Sequence, residues 1–403
     1  MNILVVNMPC YGDNIPTIGF ISELVKRGHK VDIVSSSANI PRIKDVINST
    51  NANFIDFDIN SNAENSNLSM DKIFALLVED AYKYAKNYDA VVYDYFAFPF
   101  YYLLKTNETC IIRYFANFAF NERLINRVYH GSEKNCQQNV LAIDIVNTVF
   151  KTMKKNGFKF ATDNIGNEII YNIPPLNIVH TLKDMQPDAE DFDDRFKFVG
   201  ASSTQDKINL KIPYNKMNGK IIYVSFGTIL TELGDCRKEL FKKVIETFNN
   251  EDVSVIMAIG DLLSGKDFSY APNNFYIYNF VPQTDVLQHA DLFITHCGMN
   301  SVNDSIYNGV PMIGIPGGYD QFITAELIES KKIGYKISQE KLTPGRLKEL
   351  SFDILSNEEI KNHIRQMQAK MRNVDCDKLT ADLIENYVKS KRQKQPLQAE
   401  LSN

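Results

Sequence analysis

Residues 293–305 read FITHCGMNSVNDS, and this stretch decides the fold. An apolar run of strand length leads into His296, a glycine turn at Gly298, and small polar residues typical of the start of a helix. In open parallel sheets, ligands bind beyond the carboxyl ends of the strands, where a helix N-terminus offers unpaired N–H groups and partial positive charge. Asn300 and Ser301 add short donors, so the stretch predicts an α/β sheet with a phosphate seat.

The surrounding sequence repeats this pattern. Short apolar runs typical of strands buried on both faces occupy residues 221–225, 253–259, 275–277, 292–295 and 312–315 in the second half. Similar runs occupy residues 3–8, 31–35, 90–93 and 110–112 in the first half, with helices predicted over 16–28 and 97–104. The chain is therefore predicted to be an α/β protein with two doubly wound, Rossmann-like parallel-sheet domains that face each other across a cleft.

Composition narrows the functional class. The 403 residues include 44% hydrophobic and 23% charged side chains, so large cores are expected. The net charge of -5 and the lack of a basic stripe argue against a nucleic-acid partner. Six cysteines without a CxxC pair suit reduced thiols, and no apolar run approaches the length of a membrane span. We expect a cytoplasmic protein without stable membrane insertion.

A second group of polar residues follows the phosphate seat. Two glycines precede Asp320 and Gln321, whose acceptors and donors match the hydroxyls of a sugar. A turn at residues 280–283 can present backbone groups to the edge of a base. Taken singly, the residues of the first stretch also fit a satisfied strand-end histidine and an ordinary helix cap. Their combination with the second group favours a nucleotide-sugar site.

These motifs carry a resemblance to a known family. Residues 280–321 closely resemble the nucleotide-sugar-binding region of family 1 inverting glycosyltransferases with the GT-B fold, particularly bacterial macrolide-type enzymes. Residues 178–200, the strand end at 225–228 and the N-terminal strand–helix–strand unit are similar to that group too, so the resemblance covers nearly the whole chain. The domains it implies are an acceptor-binding domain over 1–205, a linker over 206–219, a donor-binding domain over 220–375, and a C-terminal segment over 376–403 that returns as a helix to the first domain and frays after 391.

The resemblance also implies roles for single residues. By similarity, residues 280–283 frame the base, Asp304 takes the place of the family's usual Glu at the ribose, and Asp320 and Gln321 read the sugar. The diphosphate is held by His296, Gly298, Asn300 and Ser301, and is faced by Gly227 and Thr228. The full donor-binding set is Gly227, Thr228, Phe280, Val281, Gln283, His296, Gly298, Asn300, Ser301, Asp304, Asp320 and Gln321. The chain has no Trp, so the tryptophan that plant relatives stack on the base must be replaced by Phe280 or by backbone contacts.

The expected catalytic base departs from the common family pattern. Most family 1 enzymes carry histidine in a Gly-His-x-x-Pro turn after the first strand, whereas residues 12–16 of this chain read GDNIP. This turn resembles the one in glycopeptide-antibiotic and sterol glycosyltransferases, where aspartate takes the role of the base. We therefore expect Asp13 to be the base, with Asp94 at the position of the family's second acid.

Each aspartate also has an ordinary structural interpretation. Asp13 suits a turn or a helix N-cap, and Asp94 suits a solvent-exposed strand end. A free aspartate has a pKa of about 3.9 and is a weak base for an alcohol. If the two carboxylates lie close together, their repulsion raises the pKa and strengthens the base.

No metal or other cofactor is expected besides the nucleotide-sugar co-substrate. The chain contains three Asp-x-Asp triplets, at residues 56–58, 191–193 and 375–377, of the kind that glycosyltransferases of the other major fold use to bind a divalent metal. None follows a strand end near the phosphate seat, so we interpret all three as solvated surface. The helix N-terminus and His296 would then stabilise the departing nucleoside diphosphate.

Three functions remain as alternatives on sequence grounds. The first is transfer of a hexose, from a UDP-sugar by preference, to a small apolar or aromatic acceptor such as a natural product, for which the aromatic-rich residues 93–102 and 114–120 argue. The others are a sugar-nucleotide epimerase on the same fold and a binding protein that lost catalysis. A cysteine hydrolase using His296 and Cys297 is a poor fit, because adjacent strand residues point to opposite faces.

Overall fold

The structure is a computed structural model, and it describes residues 1–37, 42–57, 69–106, 109–130, 139–163, 165–202, 210–227, 234–318 and 320–400. The chain divides into two compact units. The first unit is Met1–Ser202 with Val374–Asn403, and the second unit is Ser203–Asn373. Part of the predicted linker, residues 206–209, lies outside the described residues. Each unit is built on one parallel sheet.

The first unit contains a sheet of seven strands within the described residues. They are β1 (Asn2–Val6), β2 (Lys30–Ser35), β3 (Asn53–Asp56), β4 (Ala90–Asp94), β5 (Cys110–Phe115), β6 (Leu176–Val179) and β7 (Phe196–Phe198). They lie in the order β3-β2-β1-β4-β5-β6-β7, and every neighbouring pair is parallel. The direction of winding reverses between β1 and β4, and doubly wound sheets bind ligands at such a switch point.

Helices connect these strands. They are α1 (Tyr11–Asn14), α2 (Ile18–Lys26), α3 (Arg42–Asn48), α4 (Met70–Tyr84), α5 (Glu122–His130), α6 (Asn139–Lys155) and α7 (Ile165–Tyr171). The helix predicted over 16–28 is confirmed as α2, preceded by a 3-10 turn at Ile15–Thr17. Residues 97–104 lie in a 3-10 stretch, Tyr95–Thr106, which is kinked at Ala97 and contains Pro99.

The last helix of the chain belongs to the first unit. It is α14 (Cys376–Glu400), and it packs against α2, where Arg27 binds Asp382 over 2.6 Å and His29 lies 2.7 Å from Glu385. The helix continues to Glu400, beyond the point where the sequence predicts a frayed end. Residues 392–400 read RQKQPLQAE, in which every residue type except Pro396 favours helix without needing an apolar face.

The second unit repeats the architecture. Its described strands are β8 (Lys220–Ser225), β9 (Val253–Ala258), β10 (Phe275–Tyr278), β11 (Leu292–Thr295), β12 (Met312–Gly314) and β13 (Gly334–Lys336). They lie in the order β10-β9-β8-β11-β12-β13, all parallel, with the switch point between β8 and β11. The five strands predicted here are confirmed. The sixth, β13, escaped sequence reasoning because three residues give no apolar run.

Helices α8 to α13 complete the second unit. They are α8 (Gly234–Phe248), α9 (Gln283–His289), α10 (Met299–Asn308), α11 (Asp320–Ser330), α12 (Pro344–Ser356) and α13 (Glu358–Arg372). The strands and helices share a buried core that includes Ile222, Phe241 and Ile294. In the described part of the chain, no helix combines the length and the apolar character that crossing a membrane requires.

One of the Asp-x-Asp triplets is not solvated surface. Asp377 lies mostly buried on α14 beside Gly19 of α2, where a Cβ atom would collide with its carboxyl group. Ser202 Oγ donates a hydrogen bond to this carboxylate over 3.3 Å, and burial raises its pKa. Glycine at position 19 allows α14 to approach α2 closely. Asp377 is therefore part of the packing of the first unit.

Close pairing at the edge of the second sheet gives a stability prediction. Gly334 of β13 pairs with Met312 of β12, and a Cβ atom on Gly334 would collide with the Met312 carbonyl oxygen. Gly334→Ala should lower the free energy of unfolding by about 1–3 kcal/mol, as expected for overpacking. Gly345 is the matched control, because it is exposed in the first turn of α12 with open space around its Cα.

Urea unfolding measures both variants. Gly345→Ala should be neutral or raise the free energy of unfolding by up to about 1 kcal/mol, since alanine favours helix over glycine. Equal stability of the two variants would show that β13 shifts freely and that the close pairing with β12 is not required.

Candidate active site

The predicted phosphate seat lies where β11 ends and α10 begins. Gly298 is the N-cap of α10, and it has no side chain that could cover the first N–H groups of the helix. Before it, Cys297 adopts a left-handed conformation with φ of 70°, which is uncommon for a residue with a side chain. The Cys297 N–H donates to Thr295 Oγ1 over 3.2 Å and supports the turn. The strand thus turns sharply into a helix whose N-terminus suits an anion.

His296 lies between two glycines. Its backbone N–H donates to the Ser225 carbonyl at the end of β8, over 3.3 Å. A Cβ atom on Gly227 would come within 2.6 Å of His296 Nε2, and one on Gly298 within 2.5 Å. Gly227 has a φ of 76°, which also favours glycine. The space that both glycines leave is therefore taken by the imidazole ring.

His296 has the character of a ligand-binding residue. The ring keeps some exposure, but its Nδ1 atom is buried and has no hydrogen-bond partner among the residues that the structure describes. Burial, together with the positive charge of Arg237, lowers the pKa of His296 to about 4. Without a bound anion the imidazole is therefore neutral at pH 7, and in that state it can act as a hydrogen-bond donor to a phosphate.

Three predicted donor-site residues are joined by their side chains. Gln283 Nε2 donates to Asp304 Oδ2 over 2.7 Å and lies 3.4 Å from Ser301 Oγ. The Tyr223 hydroxyl donates to Gln283 Oε1 over 3.2 Å, and the Tyr223 ring stacks on Phe293. The start of α9 is thereby fixed to the first turns of α10. Gln283, which the resemblance placed at the base, has its amide beside the acid expected at the ribose.

The other predicted donor residues occupy nearby turns. Gln321 in the first turn of α11 is buried, and its Oε1 accepts a hydrogen bond from the Gly317 N–H over 2.9 Å, so its side chain supports the glycine turn. Asp320 begins the same helix. Val281 is buried, which leaves its backbone for recognition, whereas Phe280 is partly exposed. Thr228 lies outside the described residues.

The two expected catalytic aspartates lie at the switch point of the first sheet. Asp94 ends β4, which pairs with β1, and Asp13 lies on α1 directly after β1. Asp94 is only 2% exposed, so the interpretation of an acid at a solvent-exposed strand end is wrong. Its carboxylate accepts a hydrogen bond from the Phe96 N–H over 2.9 Å. Burial first, and then the nearby charge of Asp13, raise the pKa of Asp94 well above its ordinary value.

A buried polar network holds the turn that carries Asp13. Asn14 Nδ2 donates to the carbonyls of Met8 and Cys10, each over 2.8 Å. Asn7 Nδ2 donates to Asn14 Oδ1 over 3.2 Å and to Thr17 Oγ1 over 3.0 Å. Cys10 is the N-cap of α1, so Asp13 does not cap that helix. Sequence reasoning missed the two asparagines, and the available signal was the position of Asn14 within the GDNIP turn and of Asn7 directly after β1.

The cysteine of the first motif is unsuited to catalysis. Cys297 is fully buried, and burial raises the pKa of its thiol well above the ordinary value. A thiolate nucleophile needs a lowered pKa and access to substrate. The structure therefore agrees with setting aside a cysteine hydrolase.

The chain is similar to known glycosyltransferases. Residues 209–377 match the family described as UDP-glucoronosyl and UDP-glucosyl transferase. The uncharacterized UDP-glucosyltransferase YojK of Bacillus subtilis (strain 168) is 26% identical over 418 residues, covering 97% of this chain and 98% of the relative. The oleandomycin glycosyltransferase of Streptomyces antibioticus is 26% identical over 247 residues, covering 60% of this chain and 55% of the relative.

Solved structures show the same fold. The glycotransferase of kitacinnamycin has a TM-score of 0.75 at 23% identity, and CalG4, the calicheamicin glycosyltransferase, has a TM-score of 0.74 at 24% identity. Each comparison covers 96% of this chain and 98% of the other. The similarities support glycosyl transfer and give no support to the epimerase. Together these findings support a glycosyltransferase with the GT-B fold, whose residues 209–377 are similar to the UDP-glucuronosyl and UDP-glucosyl transferases.

Proposed function

We propose that the protein transfers a hexose, with inversion and without a metal, from a nucleoside diphosphate sugar to a small natural-product-like acceptor. UDP-sugars are the first candidates, because the relatives that match along the whole chain include a UDP-glucosyltransferase. A small natural-product-like acceptor is proposed because the chain is similar to an oleandomycin glycosyltransferase. We place the reaction in the cytoplasm, since Cys10, Cys110, Cys297 and Cys376 are free thiols.

The second unit is assigned to the donor and the first to the acceptor. The observation that carries the donor assignment is the buried, unpartnered Nδ1 of His296 beside the N-terminus of α10, within the described residues. Buried polar atoms nearly always have partners, so an unsatisfied one at an anion-favouring helix end points to a ligand. Asp304, oriented by Gln283, supplies a carboxylate for the ribose hydroxyls.

The aromatic-rich stretches of the first unit do not identify the acceptor. Phe98, Phe100, Phe115 and Phe118 are each at most 2% exposed, and they belong to the packed interior. The sequence argument for an apolar acceptor from these residues is therefore not supported. The acceptor proposal depends on the relatives alone.

We assign to Asp13 the role of the general base that accepts the proton of the acceptor hydroxyl. Its carboxylate takes the proton of the acceptor hydroxyl as the oxygen attacks the anomeric carbon from the face opposite the leaving group. The bond between that carbon and the phosphate oxygen breaks, and the electron pair leaves with the nucleoside diphosphate. Partial positive charge at the N-terminus of α10 stabilises the negative charge as it develops. Asp94 strengthens the base by repulsion when both carboxylates are ionised.

A two-step screen tests the proposal. Thermal shifts with a panel of nucleotide sugars should reveal the donor, because a ligand that binds the native state raises the melting temperature. Transfer from that donor to a panel of phenolic and macrolide alcohols should then give a β-linked product from an α-linked donor. Binding without turnover on any acceptor would favour the binding protein, and a C2-epimerised donor without transfer would favour the epimerase.

Removal of the proposed base separates catalysis from structure. Asp13→Asn keeps the side-chain shape but removes the proton acceptor, so turnover should fall by about 10² to 10⁴. Donor affinity and melting temperature should stay close to those of the wild type, because the turn is held by the asparagine network. Asp45→Asn on the exposed side of α3 is the matched control. Near-normal turnover of Asp13→Asn would remove Asp13 as the base.

The second aspartate gives a prediction about pH. Because the pKa of Asp94 is raised in the folded protein, the native state binds more protons than the unfolded chain between about pH 3.9 and that raised value. The stability that Asp94 contributes is thus lost as the pH rises through the window. Asp94→Asn keeps an acceptor for the Phe96 N–H but carries no charge, so its advantage in stability over the wild type should grow with pH.

Urea unfolding between pH 4 and 8 measures this difference, and turnover is measured alongside. The variant should be slower than the wild type, because the repulsion that strengthens Asp13 is gone. If the free energies of unfolding of the two proteins depended on pH in the same way, the raised pKa of the buried Asp94 would be contradicted.

The phosphate seat is tested at His296. His296→Ala removes one neutral hydrogen-bond donor, so donor affinity should fall by about 3- to 10-fold, as measured by calorimetry. His363→Ala, at a partly exposed position on α13, provides the control. Unchanged donor affinity in His296→Ala would mean that the imidazole only fills the space between the two glycines.

A further inference from the structure

Arg237 is a buried cation that the proposed mechanism has not yet used. It lies in the first turn of α8 and is 4% exposed. Its Nε and Nη2 atoms are buried and have no hydrogen-bond partner among the described residues. Burial lowers its pKa to about 10, so the guanidinium is still charged at pH 7. A buried charge without compensation is strongly destabilising, and it marks a place where a partner is missing.

The topology brings Arg237 to the phosphate seat. β8 and β11 are neighbours, with Ser225 opposite Thr295 at their carboxyl ends. The helices that follow these strands, α8 and α10, therefore both begin at the switch point of the second sheet. The charge of Arg237 acts on His296 strongly enough to lower its pKa. Arg237 and His296 thus lie within electrostatic range of each other at the same edge of the sheet.

No acid of the described residues neutralises this cation. Arg237 forms no ion pair with a carboxylate in the described part of the chain, whereas the next residue, Lys238, binds Asp267 on the surface over 2.6 Å. The charge of this guanidinium acts on His296, whose imidazole is neutral and also lacks a hydrogen-bond partner at Nδ1 among the described residues. Two unsatisfied hydrogen-bonding groups beside a helix N-terminus together fit an anion.

We propose that Arg237 is a further donor-binding residue, whose guanidinium donates charge-assisted hydrogen bonds to the diphosphate of the nucleotide sugar. The planar fork of arginine matches phosphate oxygens and binds them more strongly than a neutral donor does. The contact strengthens as charge develops on the leaving diphosphate, so Arg237 also favours its departure. This inference rests on the proposed function, because it assumes that the anion in the seat is the donor's diphosphate.

Calorimetry with three probes tests the proposal: UDP, uridine and inorganic pyrophosphate. Arg237→Gln should weaken the binding of UDP and pyrophosphate by about 10- to 100-fold and leave the affinity for uridine unchanged. Arg237→Lys keeps the charge but loses the planar fork, so its affinity for UDP and pyrophosphate should lie between those of the wild type and Arg237→Gln. Lys238→Gln is the matched control, since it removes a neighbouring exposed charge from the same helix turn.

The melting temperature separates ligand binding from a structural role. Arg237→Gln without ligand should melt at or above the wild-type temperature, because an uncompensated buried charge is gone, while the rise caused by UDP should shrink. A fall in the melting temperature with an unchanged response to UDP would assign Arg237 to the packing of α8. Equal loss of uridine and UDP binding would also overturn the proposal.

The probes also separate this inference from the proposed function. One outcome is that pyrophosphate binds, Arg237→Gln abolishes this binding, and no nucleotide sugar binds. In that case the site binds an anion, but its assignment to the nucleotide-sugar donor is wrong. If nucleotide sugars bind and react equally well with both proteins, the donor assignment stands and the role of Arg237 falls. If the wild type binds none of the probes, both are wrong.

Discussion

The parallel pairing of β8 with β11 is the interaction on which the candidate site depends. Because these strands come from separate parts of the chain, their pairing brings two strand ends and two helix starts to one point. Gly227 follows the first strand and His296 follows the second; the His296 N–H donates to the Ser225 carbonyl, and the imidazole fills the space beside Gly227. The first unit uses the same device at β1 and β4 to bring Asp13 near Asp94. A single topological rule thus assembles both groups of polar residues.

The polar residues at both switch points include buried groups whose electrostatic free energy is unfavourable in the protein without ligand. In the second unit a guanidinium and an imidazole nitrogen are buried without partners among the described residues, and in the first unit a carboxyl group is buried near another. The large apolar cores of the two sheets outweigh these local penalties. Such residues reduce stability where they lie and are therefore hard to explain by packing alone. Their position at the two switch points agrees with the roles proposed for them in ligand binding and proton transfer.

Much of this arrangement was predictable from the sequence. Apolar runs of strand length identified nine strands, because strands buried on both faces leave a continuous signal, and the turn at 296–301 located the seat. The short strands β3, β6, β7 and β13 gave no such signal. Contacts that depend on packing between distant segments were also invisible, such as the amide of Gln283 on Asp304 and the burial of Asp94.

Arg237 shows this limit most clearly. An arginine in the charged helix segment that follows β8 gives no pattern in the sequence, and its neighbours Lys238 and Glu239 are ordinary surface residues. Only the fold reveals that this one side chain points inward. Sequence motifs predict residues that act through the backbone of a turn, whereas the burial of a single charged side chain on a helix is visible only in the three-dimensional structure.

The network around the GDNIP turn has a consequence for how such enzymes diverge. Asn14 binds the backbone carbonyls of Met8 and Cys10, and Asn7 binds Asn14 and Thr17. These hydrogen bonds do not use the side chain at position 13, so they can persist when aspartate is replaced there by histidine. With the base at position 13, as proposed, lineages with aspartate or histidine can arise from one scaffold by a single replacement, and the pH range of each enzyme becomes a trait that evolves separately from its fold.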